Sequence, residues 1–246
     1  MSRFIQALAL AALCLSPQTN ALKALAQSPT PQRTLRVDYD FSGNNKQQHI
    51  ALSQLCSFSG WAGRRTHTDS VLLHGNGDIT LRDAATHRVL YKQSFSTLFQ
   101  EWQSTEEATR LTRSFENTFL LPMPTDSAEV TVQLYNMQQQ PTVSFTHKVD
   151  PRDILIRNLD NTPIPPHRYL HHSGSSEQKI DVAIVAEGYT AQQSDLFYAD
   201  AQKAVNAILS HEPFKHYANR FNFVAVAAAS TDSDVSVPLE GKWRNT

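Results

Sequence analysis

The residues with the most chemical potential lie in the last third of the chain. His211-Glu212-Pro213-Phe214-Lys215-His216 places two histidines around a glutamate. Two histidines bind one metal from one helix when they are four apart, on the same face. These are five apart, about 140° around a helix, and Pro213 between them interrupts helical hydrogen bonding. The segment therefore reads as the end of a helix and not as a metal site. His171-His172 sits among loop-forming residues with no acid or thiol nearby. Asp232-Ser233-Asp234 has the start of a calcium-loop pattern but lacks the remaining ligands and the glycine, so it reads as a polar turn. No Gly-x-Ser-x-Gly elbow and no glycine-rich dinucleotide loop occurs. Glu187, followed by Gly188 and Tyr189, is the strongest remaining candidate. A carboxylate there can line a cleft together with Tyr189, or cap a helix starting near Thr190. No cofactor-binding residue and no metal ligand is assigned.

Ile180 to Ala186, just ahead of these residues, is an unbroken apolar, β-rich run that ends at Gly188. Phe197, Ala201, Ala204, Val205, Ile208 and Leu209 then recur at steps of three and four, the helical period. Phe221 to Ala229 is a second apolar run. Strand, helix, strand with short connections predicts a right-handed βαβ unit with parallel strands. Unbroken apolar runs are what strands buried on both faces show. Sites in such sheets lie beyond the carboxyl ends of strands, here Glu187 to Tyr189 and Ser230 to Asp234.

The preceding half has a different pattern. Leu35, Val37, Tyr39 and Phe41 alternate with polar residues, as do Val130, Val132 and Leu134. Further strands are expected over His49–Phe58, Ser70–His74, Ile79–Ala84, His87–Phe95 and Thr142–Val149, with an extended stretch over Ser114–Pro124. Gly75-Asn76-Gly77-Asp78 reads as a hairpin turn. One helix is expected, starting near Thr105-Glu106-Glu107, with a weaker signal over Leu98–Trp102. Short strands joined by turns at this spacing argue for an antiparallel β-sandwich over 34–150. Its aromatics Trp61, Trp102 and Tyr91 read as core, with a sugar- or peptide-binding surface as the other reading. Residues 151–178 hold Pro151, Pro163, Pro165 and Pro166 and read as a linker. Residues 179–246 begin a second, α/β domain. The fold class is thus α+β multidomain.

Residues 1–26 read as a secretory signal peptide: Arg3, an apolar run from Phe4 to Leu15, and small residues at Ala24 and Ala26. Residues 27–33 form a spacer. The apolar run is too short to act as a membrane anchor, which points to a secreted, periplasmic or surface protein. Cleavage lowers the basic count from 22 to 20 against 23 acidic residues, a formal charge of −3. That balance excludes a nucleic-acid partner. Only Cys56 then remains, so no internal disulfide forms, and Cys56 reads as a buried small hydrophobe.

Several blocks, in order, resemble the IgA-peptidase family, family sixty-four of the metallopeptidases. In the first half these are LRVDYDFSG, Trp61-Ala62-Gly63, VLYKQSFSTLFQEWQSTEEA, RSFENTFLLPMP and the closing VDP. In the second half they are IDVAIVAEGYT, SHEPFKHYANRFNFVAVAAASTDSDVSVP and GKWRNT. The resemblance spans roughly residues 33–246. It implies a secreted zinc metallo-endopeptidase acting on protein or peptide, with a metzincin-like catalytic fold behind the β-sandwich. In that family a His-Glu-x-x-His helix holds the zinc, and its glutamate activates the bound water. No such motif occurs in this sequence, so no ligand or base is carried over and the chain is expected to be inactive by itself. The family tends to have Ser-Gly where this chain has Ser233-Asp234, so that turn is expected to differ. Three readings follow. The chain is a truncated copy with an incomplete βαβ domain, its Phe221–Ala229 face exposed and a partner covering its edge. Alternatively it is a secreted β-sandwich binding module for protein or glycan, or its catalytic half comes from a separate chain.

Overall fold

The computed structural model describes residues 33–136 and 138–246. The stretch read as a signal peptide and nearly all of the stretch read as a spacer lie outside the described residues. No described helix is long and apolar enough to cross a membrane.

The first half is β-rich. Its strands are β1 (Arg33–Gly43), β2 (Gln48–Ser59), β3 (Gly77–Asp83), β4 (Val89–Phe95), β5 (Arg113–Pro122), β6 (Ala128–Tyr135) and β7 (Pro141–Val149). A two-residue strand, β8 (Arg157–Asn158), follows. They form two four-stranded sheets, ordered β5-β1-β2-β8 and β4-β3-β6-β7. All pairings are antiparallel except β2–β8.

Alternation does the positioning. Leu35, Val37, Tyr39 and Phe41 of β1 share one core with Val130, Val132 and Leu134 of β6. Each is fully buried. The core aromatics pack closely, with Phe95 and Phe119 ring centroids 4.5 Å apart. Trp61 meets Tyr91 edge-on at 5.3 Å, and Trp102 packs against Phe115 at 5.5 Å. The core reading of these three aromatics holds.

Two polar devices lie within the β-rich half. Asp38 accepts hydrogen bonds from Arg36 Nε at 2.9 Å, Gln54 Nε2 at 2.7 Å and Thr118 Oγ1 at 2.7 Å. Burial pushes this carboxyl up, but the bonds from Arg36, Thr118 and Gln54 together outweigh it and hold it below its usual range. The Tyr39 hydroxyl lies 2.6 Å from His147 Nε2. Burial raises the phenol's pKa far above its ordinary value and lowers that of the imidazole. The phenol is therefore the donor and the neutral ring the acceptor.

Three sequence expectations fail here. Ser70–His74 is a loop, not a strand, and Leu72 at its tip is 95 % exposed. Three apolar residues in a row lack the alternation that seats a half-buried strand. Without that strand, Gly75-Asn76 leads into β3 instead of turning a hairpin. The helix starts earlier than expected, as α1 (Leu98–Gln103), where the Thr97 side chain accepts from the Gln100 N–H. The Thr105–Glu107 signal yields only a 3₁₀ turn over Glu107–Thr109. Capping by Thr97 and burial of Phe99 decide the helix, whereas the acidic residues alone do not.

The segment read as linker also differs. Its β8 adds to β2, and Asp160 closes the junction. The Asp160 carboxylate accepts from Arg33 Nη1 at 2.9 Å and from the Ser59 N–H at 2.6 Å. Those bonds hold its pKa at about 2. Further on, β9 (His167–His171) pairs antiparallel with β11 (Phe221–Val226), which in turn pairs parallel with β10 (Ile180–Val185). The second half is thus a three-stranded sheet ordered β10-β11-β9, one strand more than the sequence suggested. Helix α2 (Ser194–Ser210) covers one face through Phe197 and Ala201, packed with Ala186 and Ala225. Arg168 of β9 lies 3.4 Å from the Tyr198 ring centroid and reinforces that packing.

The expected exposure of Phe221–Ala229 is also displaced. As the central strand, β11 buries Asn222, Phe223 and Ala225. Exposure falls on β10, where Ile180, Ala183 and Val185 are open and no described strand pairs with the outer edge. An apolar run records the wish to be covered; neighbours decide whether it is.

Two predictions follow from these contacts. A fragment of residues 33–162 should resist urea better than residues 33–150, because only the longer one keeps β8 and Asp160. Equal midpoints would place 151–162 outside this fold. His147 predicts a pH dependence. Its folded pKa lies below the unfolded value of about 6.5, so the unfolded chain takes up the proton first. Stability is then full above about pH 6.5 and declines as pH falls towards the lowered folded pKa. Urea titrations at pH 7.5 and 5.5 should show the loss, and His147→Gln should remove most of it.

Candidate functional site

The carboxyl ends of β10 and β11 are held together by backbone and one hydroxyl. The Gly188 N–H donates to Ser230 Oγ at 2.8 Å. The Ser230 N–H donates to the Tyr189 carbonyl at 2.8 Å, and the Asp234 N–H to the Gly188 carbonyl at 2.7 Å. Gly188 has φ +75°, and a Cβ there would lie 2.8 Å from the Asp234 carbonyl oxygen. Glycine is required on both counts. The turn that faces it is built by Asp234, itself at φ 73°. Asp tolerates the left-handed region better than most residues. Asp234 thus adopts the backbone that glycine favours.

Glu187 and Tyr189 separate in this geometry. Glu187 is exposed and does not line the adjoining cavity. It does not cap the helix either. Gln193 Oε1 accepts from the Thr190 N–H at 3.0 Å and closes the first turn. Tyr189 does line the cavity, with Ala186, Thr190, Phe197 and Ala227, but the volume is about 10 Å³. That holds one water at most. The Tyr189 hydroxyl donates to Asp200 Oδ2 at 3.2 Å, and Lys203 Nζ donates to Asp200 Oδ1 at 2.9 Å. Burial and the Asp200 bond raise the Tyr189 pKa, while Lys203 lowers that of Asp200. The three form a strut along α2, not an acid–base pair around a cleft.

The histidines are not brought together. His211 follows the last residue of α2, with Nδ1 2.8 Å from the Ala207 carbonyl. His216 packs edge-on against Tyr217 at 4.9 Å. His171, expected in a loop, ends β9 with Nε2 3.0 Å from the Ala218 carbonyl, and His172 packs against Tyr169. Asp232 Oδ2 accepts from the Asn245 N–H, which makes it part of a loop closure. Among the described residues, no group of three or more His, Cys, Asp or Glu side chains is placed to hold a metal ion.

Sequence reasoning missed Asn222. It is fully buried at the start of β11. Its Oδ1 accepts from the Ser173 N–H at 2.8 Å, and its Nδ2 donates to the Gly174 carbonyl at 2.9 Å and to Asp181 Oδ1 at 2.7 Å. It joins the turn after β9 to the start of β10. The signal was a single amide inside the apolar run Phe221–Val226.

Comparison with known families gives two matches. Residues 27–146 match the family model described as Peptidase M64 N-terminus, and residues 169–246 match that described as IgA Peptidase M64. No curated protein matches the chain.

Gly188→Ala should destabilise the C-terminal sheet by about 2 kcal/mol, since strain and a backbone clash coincide. Ser230→Ala, which removes one hydrogen bond, should cost about 1 kcal/mol. Hydrogen exchange over residues 180–235 would check the order of the two effects.

Proposed function

The chain belongs to the IgA peptidase M64 family, and from that premise we propose that it forms the N-terminal portion of a secreted zinc metallo-endopeptidase. In this reading the two β-sheets stack as a sandwich in front of the start of a metzincin-like catalytic fold. The observation that carries the reading is order. Two models of one family match in sequence, the first on the β-rich half and the second on the β9–β11 sheet with α2. Such a protein acts on protein or peptide substrates.

Zinc is the metal this family implies, and the residues present do not fit it. The sequence contains no His-Glu-x-x-His, and the described side chains converge on no metal. The work of these residues is therefore support. α2 and the Gly188–Ser230–Asp234 clamp fix the strand ends, and Asn222 fixes the strand starts. Glu187 and Tyr189 take no catalytic role. A second reading, binding by the β-rich half, is favoured by the open groove beside Trp61.

The test is zinc content together with hydrolysis of a broad protein substrate by the purified chain. Less than stoichiometric zinc and no hydrolysis are expected. One tightly held zinc per chain with activity would overturn the supporting role.

A further inference from the structure

A groove of about 490 Å³ runs between the loop after β2 and the turn that precedes β10. Its size lies within the span of small-ligand sites. Phe58, Arg64, Arg65 and Thr66 line one side, and Ser176 and Glu177 the other. The two guanidinium groups are held in place by backbone carbonyls. Arg64 donates to the carbonyls of Ser70, at 2.7 Å, and Lys92. Arg65 Nη2 donates to the Trp61 carbonyl at 2.8 Å. Trp61, anchored in the core beside Tyr91, fixes that loop. Carbonyls orient a cation without neutralising it.

Among the described residues that line the groove, one is a carboxylate. Arg65 Nη1 lies 3.2 Å from Glu177 Oε1. The Glu177 side chain is 66 % exposed, whereas that of Arg65 is 31 % exposed. Such a pair is weak, because the exposed partner loses little by returning to water. Two arginines against one glutamate leave the groove with one excess positive charge. A preset guanidinium fork is suited to a carboxylate from outside.

We propose that this groove binds an acidic side chain of an extended peptide, which displaces Glu177 from Arg65. Glu177 is the placeholder: a glutamate on a stretch of backbone already occupies the position the ligand would take. The choice of a peptide over a sugar acid rests on that arrangement. This inference does not depend on the peptidase reading, because its readout is binding and needs no zinc or hydrolysis.

The experiment is calorimetric titration of the whole chain with the capped peptide Gly-Glu-Gly-Glu, its Gly-Gln-Gly-Gln counterpart, N-acetylneuraminate and glucuronate. The glutamate peptide should bind saturably, more weakly as salt rises, and the glutamine peptide should not. Glu177→Gln removes the competitor and should tighten binding about threefold. Arg65→Gln should weaken it at least tenfold, roughly the worth of a charge-assisted bond. If near-UV circular dichroism shows that Arg65→Gln does not fold, the Glu177→Gln result decides alone. Absence of saturable binding, equal binding of the two peptides, unchanged or weaker binding in Glu177→Gln, or preference for either sugar acid would overturn the proposal.

Discussion

Unpaired strand edges govern this structure. A strand at the edge of a sheet presents N–H and C=O groups that need partners. The stretch between the two halves supplies them twice. β8 lies along β2 in the first half, and β9 lies along β11 in the second. Asp160 fixes the first attachment by bonding to Arg33 and Ser59, at the start of β1 and the end of β2. Asn222 fixes the second by bonding to Ser173 and Gly174, just after β9. A stretch rich in proline thus serves both sheets with very short strands. Among the described strands, the outer edges of β4, β5, β7, β8, β9 and β10 pair with no further strand, and of these β10 carries the apolar run Ile180–Val185.

How much of this was legible depended on the kind of signal. Strict alternation made β1 and β6 plain, because a half-buried strand cannot hide its period. The spacing of Phe197, Ala201 and Val205 made α2 plain for the same reason. β9 was not legible. Its sequence HRYLH has neither alternation nor an apolar run, and three of its five residues are exposed. It is a strand because β11 offers an edge, which is a tertiary fact. The Ser70–His74 loop shows the converse. Val71, Leu72 and Leu73 have β propensity but no sheet to join, so propensity yields to context.

The candidate site divides in the same way. The rule that sites lie beyond strand ends drew attention to Gly188 and the turn at Ser233-Asp234. It did not reveal that these residues bond to one another and close the opening. Closure comes from a glycine with positive φ pressed against the backbone of Asp234. Neither the φ value nor the contact is written in residue types. The groove at Arg64 and Arg65 was still less legible, because its walls lie more than a hundred residues apart in sequence. The local hint was a tryptophan between two glycines followed by two arginines, a loop that can expose backbone and charge together.

The groove's far wall is anchored independently of its ion pair. Ser173 and Gly174 are held by Asn222, and Lys179 Nζ donates to the Asn219 carbonyl at 2.7 Å. The turn carrying Glu177 is therefore pinned on both sides before Arg65 contributes. Removing Glu177 from Arg65 moves one exposed side chain and leaves the turn where it is. A ligand entering the groove competes with a salt bridge of at most about 1 kcal/mol, and not with the fold of the second half. That separation lets binding at the loop after β2 proceed while the β10–β11 pair, and the strand ends it positions, stay in register.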